Sequence, residues 1–429
     1  MIKIAVLGCG TVGGGVCQLL IQNAHDIAKR TDKCIEIKKV LERNPQRAYD
    51  LGLKEDQVCS SLDDILNDDE IKIVVELMGG IDFAYECIMK AIDAGKNIVT
   101  ANKDLISVKG EEIFALAKEK NVDVCYEASV GGAIPIIGAM QNILCANTFT
   151  DIVGILNGTT NYILSKMYEK GWSYSKALQE ATDLGYAEAD PSSDVEGTDA
   201  ARKISILGSI AFNSRCTLSD VYCEGITRIE ERDIVLAKKL GYTIKLLAVA
   251  KERNNKILLF VRPAFVPLAH PLASVNDVFN AAFIKCDAAD EIMLYGRGAG
   301  SMPTASSVIG DVMTICQNIA NGTTGKLGLE CYKVKEISPV TDLRSSFCLR
   351  LRVADQPNVL AGVASVLGKK DVSIESIIQS PVKNSGTASL TIITHPASEQ
   401  DLQTAIEELK ACEYVKKANI YMCLDMETM

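Results

Sequence analysis

Residues 1–20 read MIKIAVLGCGTVGGGVCQLL. Ile2 to Leu7 is a short β-forming run, GCGTVG follows at 8–13, and an apolar-periodic stretch runs on through Val16, Leu19 and Leu20. This pattern predicts strand, glycine turn and helix. In such a turn the first glycine permits the tight bend and the second lets backbone approach a pyrophosphate. The third lets the helix sit close to the strand, and the helix N-terminus attracts the anion. Gly8, Gly10 and Gly13 are therefore read as a dinucleotide loop, against the alternative of a glycine turn with no ligand. The chain enters this strand directly, so no signal peptide is expected.

Working outward, a second strand, Ile35 to Leu41, ends in Glu42 and Arg43. An acid there favours NAD by bonding the ribose hydroxyl, whereas an arginine suits the phosphate of NADP. Arg43 makes NADP(H) the expected preference, with NAD(H) as the alternative. Strand Ile71 to Leu77 ends in Met78-Gly79-Gly80, and strand Asn97 to Ala101 runs into Thr100-Ala101-Asn102-Lys103. Ligands of open α/β sheets lie beyond such strand ends, which makes Lys103 a candidate. Strand Val122 to Ala128 leads into EASVGGAIP at 127–135. Glu127 and nearby carbonyls suit a hard cation; a plain helix entry is the other reading.

The 429 residues correspond to about three domains. A 48% hydrophobic and 23% charged composition is globular. Lys+Arg 45 against Asp+Glu 55 gives a net charge of −10, which argues against a nucleic-acid partner; a local basic pocket for one small anion stays open. The 15 cysteines include no CxxC pair. Cys9, Cys87, Cys125 and Cys316 lie in apolar patterns, so reduced thiols and a cytoplasmic location are expected. No apolar run is long enough to span a membrane.

The middle of the chain holds the candidate chemistry. A strand from Thr148 to Asn157 meets the polar cluster Asn157-Gly158-Thr159-Thr160-Asn161, which opens a helix. Residues 173–184 form another helix, ended by Gly185. GYAEADPSSDVEGTDAARKISIL follows, carrying Glu188, Asp190, Asp194, Glu196 and Asp199, then Arg202 and Lys203. Ser192, Ser193 or Asp194 is expected to cap one helix continuing through Ile210. Asp199 and Lys203 share a helix face. They form either a surface ion pair worth about 0.3–0.5 kcal/mol or a site in which acids take a substrate ammonium and the lysine moves a proton. His25, His270 and His395 sit in unrelated contexts. Strands Thr243 to Lys251 and Lys256 to Phe265 are joined by Arg253-Asn254-Asn255. After strands near 278–287 and 289–295, GRGAGSMPTA at 296–305 opens a helix to about Ala320. This loop either closes over the cofactor or returns the chain to its first domain.

These ordered motifs resemble the homoserine dehydrogenase family over about residues 1–325: GCGTVGGGV, TANKDLIS, EASVGGAIPII, ILNGTTNYIL, GYAEADPSSDVEGTDAARK and GRGAGSMPTASSV. The resemblance implies NAD(P)H-dependent, reversible reduction of L-aspartate 4-semialdehyde to L-homoserine, on the route to threonine, methionine and isoleucine. It implies a cofactor loop of Gly8, Gly10, Thr11, Val12 and Gly13, with Lys103 and Gly300 also near the cofactor; Arg43 and Thr100 are cofactor-binding candidates from their places at strand ends. It makes Lys103 and Lys203 catalytic, and Glu188, Asp194, Asp199 and Lys103 substrate-binding. It also implies a sodium site at Glu127, Val130, Gly132 and Ile134.

Residues 345–429 read βαββαβ: strands Ser346–Val353, Val372–Gln379, Ala388–Thr394 and Val415–Cys423, with helices from Asp355-Gln356-Pro357-Asn358 to Leu367 and from Ser398 to Ala411. This unit resembles an ACT domain, an amino-acid-binding regulatory module, although Asn358 stands where that family usually has glycine. The resemblance implies a threonine-like effector and a homodimer or homotetramer; a pure assembly role is the alternative. The expected fold class is α/β, in three parts. They are a Rossmann-like NAD(P)-binding domain at 1–145, rejoined by about 296–325, an α+β catalytic and dimerisation domain at 146–320, and the ACT-like domain at 345–429. The rival function is an amino-acid-responsive nucleotide-binding sensor without dehydrogenase activity.

Overall fold

The computed structural model describes residues 1–382 and 385–424; Asn384 lies outside them. The chain forms two compact units. The first comprises Met1–Gly158, Asp199–Asp220 and Val278–Val334, and the second Thr159–Thr198, Val221–Asp277 and Lys335–Met429. Residues 146–320 are thus shared between both.

The first unit is built on six parallel strands: β1 (Ile2–Leu7), β2 (Ile35–Leu41), β3 (Val58–Cys59), β4 (Ile71–Glu76), β5 (Asn97–Thr100) and β6 (Val124–Cys125). Their order is β3-β2-β1-β4-β5-β6. The two central strands are mostly apolar (IKIAVL in β1, IKIVVE in β4), as parallel strands covered on both faces require, whereas β2 nearer the edge carries Glu36, Lys38 and Lys39. Ile4 and Val6 of β1 and Ile73 and Val75 of β4 pack with Val16 and Leu20 of the first helix, Thr11–Gln22, and with Val308 and Val312 of helix Ser301–Asn321. Strand Phe279–Cys286 pairs antiparallel with both Phe149–Ile155 and Glu291–Arg297.

In the second unit, strands Tyr242–Arg253 and Lys256–Pro267 form a hairpin. Its turn is Asn254-Asn255, both with positive φ (52° and 64°), as a two-residue turn matched to strand twist requires. Val415–Cys423 pairs parallel with Lys256–Pro267. Arg344–Ala354, Thr387–Thr394 and Ile374–Val382 follow it in order across the sheet. With helices Val359–Lys369 and Glu399–Ala411 this is the βαββαβ module.

Three local readings differ from the sequence expectation. The Val122–Ala128 strand is only Val124–Cys125. The Asp123 carboxylate accepts N–H groups from Gly325, Lys326 and Leu327, and Glu127–Ser129 is already a 3-10 turn. The expected single helix from Ser192 is broken into Ser192–Val195 and Thr198–Phe212, because Gly197 adopts φ +89°. The second strand of the C-terminal module begins at Ile374 rather than Val372 and runs to Val382 rather than Gln379. Among the described residues, no helix is long and apolar enough to cross a membrane. Cys9, Cys87, Cys125 and Cys316 are buried and unpaired.

Candidate active site

Gly10 is the N-cap of the first helix, and a side chain there would meet nothing within 4 Å, so the main chain is open to an approaching anion. A Cβ on Gly13 would fall 1.9 Å from Gly8 O, the close helix–strand approach that only glycine allows. Thr11 and Val12 open the helix. Thr11 O accepts the Ser301 hydroxyl at 2.6 Å, one residue after Gly300, so the late glycine loop rests on the first one. The donor set therefore fits a dinucleotide phosphate. At the end of β2, Glu42 accepts N–H groups from Cys9 (2.7 Å) and Asn44 (2.9 Å). Burial raises its carboxyl, but these N–H groups and Arg47 together hold it below the ordinary range. Arg43 is exposed.

Lys103 is the first residue of helix Lys103–Lys120, just beyond β5. Its neighbour Asn102 caps the helix through Leu105 N–H (3.1 Å) and donates to Gly80 O (2.7 Å). Thr100 is buried, and its hydroxyl donates to Glu76 (2.7 Å) and accepts from Asn102 N–H (3.0 Å). Thr100 thus braces the loop from within, and Glu76 also accepts Met78 N–H (2.8 Å).

Helix Thr198–Phe212 brings Asp199 between two lysines. Lys203 Nζ lies 2.7 Å from Asp199 Oδ2 and donates to Leu156 O at 2.7 Å; Lys103 Nζ lies 3.4 Å from Asp199 Oδ1. Asn157 Nδ2 donates to the same carboxylate at 2.9 Å. Arg202 pairs with Asp104 at 2.7 Å, a second link between the starts of the two helices. Asp199 and Lys203 are each 8% exposed, so this is no surface ion pair. Burial raises the Asp199 carboxyl, but the two ammonium groups outweigh it and bring it to about 2. Two ammonium groups against one carboxylate give the cluster a formal net positive charge, with Asp199 and Lys203 shielded from water and Lys103 half-buried. Such a charge stabilises an oxyanion far more than it does in bulk solvent.

Glu188 is exposed, and Asp194 is half-buried on the short helix Ser192–Val195; both belong to the second unit. In the Glu127–Pro135 loop, Glu127 accepts N–H groups from Ile137 (2.8 Å) and Gly138 (2.5 Å). Burial raises its carboxyl. Gly132 O accepts the Ser307 hydroxyl at 2.7 Å, and Ile134 O accepts Ile136 N–H. Of the four residues read as cation ligands, Val130 alone has a carbonyl without a donor among the described contacts. Sequence reasoning did not single out Glu76, Asn102 or Asn157 as members of the site. Their signal was a polar residue at the carboxyl end of an apolar strand.

Profiles of known families match three stretches: the NAD-binding domain of homoserine dehydrogenase over residues 8–127, homoserine dehydrogenase over 135–313, and the ACT domain over 349–414. Homoserine dehydrogenase of Synechocystis sp. is 41% identical over 427 residues, spanning 97% of this chain and 98% of the relative. The chain belongs to the homoserine dehydrogenase family. A homoserine dehydrogenase structure from Thiobacillus denitrificans superposes with a TM-score of 0.93 at 38% identity, covering 99% of this chain and 98% of that one. A hyperthermophilic archaeal homoserine dehydrogenase in complex with NADPH gives a TM-score of 0.62 at 26% identity over 73% of this chain and 97% of that one. The chain is therefore a nicotinamide-dependent oxidoreductase acting on a CH–OH group, and the sensor reading is not favoured.

Proposed function

We propose that this enzyme interconverts L-aspartate 4-semialdehyde and L-homoserine, with Lys203 as proton donor and Lys103 as the second cation facing the developing alkoxide. The cluster of buried Asp199 and Lys203 with half-buried Lys103 carries this reading. When bound, the nicotinamide supplies the hydride; the protein must stabilise charge and deliver a proton. Asp199 and Leu156 O occupy two of the three N–H donors of Lys203, which fixes its head and leaves one donor for substrate oxygen. The Asp199 distances favour a role as anchor of both lysines over the expected pairing with the substrate ammonium; Glu188 and Asp194 stay substrate-binding candidates on the family resemblance. The experiment is NADPH- and NADH-dependent semialdehyde reduction by wild type and Lys203→Ala. Near wild-type kcat in the folded variant removes Lys203 from the chemistry.

NADP(H) is the proposed preference. Both Glu42 oxygens already accept main-chain N–H groups, whereas Arg43 has no ion pair among the described residues. Sodium is proposed only as a ligand of loop carbonyls around Val130, since the Glu127 carboxylate is held by N–H groups. No step of the reaction depends on it. The C-terminal module is proposed to bind a pathway amino acid, threonine first, in a homodimer or homotetramer, and the enzyme to act in the cytoplasm. Its βαββαβ order and the ACT match support this.

A further inference from the structure

Val195, Glu196 and Gly197 directly precede the helix that carries Asp199 and Lys203. Within the second unit they are gripped by residues 223–226. Ile226 N–H donates to Val195 O at 2.8 Å, and the Cys223 thiol donates to Glu196 O at 3.2 Å. The two backbones cross so closely that a Cβ on Gly225 would lie 2.1 Å from Val195 O. Glu224, in the middle of this grip, donates its N–H to Val261 O at 2.8 Å.

Arg262, the next residue on that strand, has a side chain only 6% exposed. Its guanidinium donates to Glu399 Oε2 at 2.8 Å and lies 3.5 Å from Glu224 Oε2. Glu399 is the first residue of the second helix of the C-terminal module and is 2% exposed. Its N–H is held by Leu343 O (2.8 Å), and its other oxygen accepts Gln403 Nε2 (2.8 Å). A buried arginine thus joins a carboxylate of the regulatory module to a carboxylate of the grip.

A buried ion pair is a poor way to gain stability, because apolar side chains of similar volume do as well or better. What it does impose is a shared fate. Moving the Glu399 carboxylate away costs Arg262 its 2.8 Å hydrogen bond and leaves it only the longer Glu224 contact at 3.5 Å, in a dry place, so the two segments are driven to shift together.

We infer that Arg262 is a positioning residue that couples effector occupancy of the C-terminal module to the Val195–Gly197 segment, and through it to the start of the Asp199–Lys203 helix. This rests on the amino-acid-regulation reading above.

The test uses the full chain with L-threonine as probe. Basal kcat and semialdehyde KM, the threonine-induced change in KM, and threonine Kd by calorimetry are measured for wild type, Arg262→Met, Glu399→Gln and Arg350→Met. Arg350 supplies the control. It makes a comparable buried pair with Asp233 (2.8 Å) on helix Glu231–Lys239. In the Arg262 and Glu399 variants basal constants and threonine Kd stay within about threefold of wild type. The threonine effect, roughly 5–150-fold for ordinary coupling, shrinks to less than about twofold. Arg350→Met keeps it. A full threonine effect in the Arg262 and Glu399 variants overturns the inference alone. So does its equal loss in Arg350→Met, or loss of threonine binding together with inhibition, since either marks general loosening of the module. A wild type indifferent to threonine, methionine, isoleucine and lysine overturns the inference and the regulatory reading together.

Discussion

Burial raises the carboxyl of Asp199, and the ammonium groups of Lys203 and Lys103 more than reverse it, to about 2. The folded value lies below the unfolded one of about 3.9. The stabilisation is therefore fully present above that unfolded value and is lost as pH falls through about 2. Asp199 is therefore ionised well below any working pH, and an acid limb in the pH–rate profile above pH 5 belongs to another group. Asp199→Asn leaves two like charges facing a neutral amide. Its expected signature is a loss of about 3–5 kcal/mol in denaturant unfolding, the usual cost of breaking a buried pair, with kcat at least tenfold lower. Lys203→Ala is expected to lower kcat by about 10²–10⁴-fold, with NADPH affinity by fluorescence titration nearly unchanged. For Arg43, the measurement is the NADP/NAD ratio of kcat/KM in wild type and Arg43→Ala. A drop in the ratio of about tenfold or more is expected, the size of one lost charge-assisted bond to phosphate, and an unchanged ratio removes Arg43 from the pocket.

At the scale of elements, helix Ser301–Asn321 holds the loops around the first unit's strand ends. Ser301 bonds Thr11 O, Ser307 bonds Gly132 O, and Asp311 accepts Glu127 N–H at 2.9 Å. Burial pushes the Asp311 carboxyl up to about 8, against the opposing Glu127 N–H bond and with help from the nearby Glu127 charge. Between the unfolded value near 3.9 and about 8, the folded state binds more protons than the unfolded chain. This group's contribution to stability is therefore present at low pH and declines as pH rises through that window. Glu127, also raised by burial, acts in the same direction. The slope is at most about 1.4 kcal/mol per pH unit for one group. Asp311→Asn is expected to flatten the dependence of unfolding free energy on pH between 5 and 8; a variant as pH-sensitive as wild type refutes this.

For the whole molecule, the C-terminal module is not a loosely tethered appendage of its unit. Its last strand extends the sheet of the Tyr242–Pro267 hairpin, with Ala264 opposite Met422 and Phe265 opposite Cys423. A chain ending near Asp342 would lose the proposed amino-acid response. Such a chain would also strip Glu399 from Arg262 and uncover part of a central strand. Removing one partner of a buried pair costs about 3–5 kcal/mol. The truncated enzyme is therefore expected to melt several degrees lower than the full chain and to aggregate. Equal Tm values would show that the module contributes nothing to its unit.

The sequence by itself determined the parallel α/β sheet, the glycine loop and the C-terminal βαββαβ order. Each is written in local periodicity and in turn residues whose backbone needs are local. It also put Asp199 and Lys203 on one helix face. It left open whether that face was wet, since exposure depends on what packs against it. Only tertiary structure brought Lys103, ninety-odd positions away in sequence, to the far oxygen of Asp199 and supplied Leu156 O and Asn157 as partners. Asn358 shows the same division. Its identity departs from the usual glycine, but its φ of +69° at the N-cap of Val359–Lys369 is the left-handed conformation that asparagine tolerates best after glycine. The departure is therefore in side chain and not in backbone. The Arg262–Glu399 pair joins residues far apart in the chain, and no local pattern announces it. Burial and partner are properties of packing, and packing is decided only when the whole unit closes.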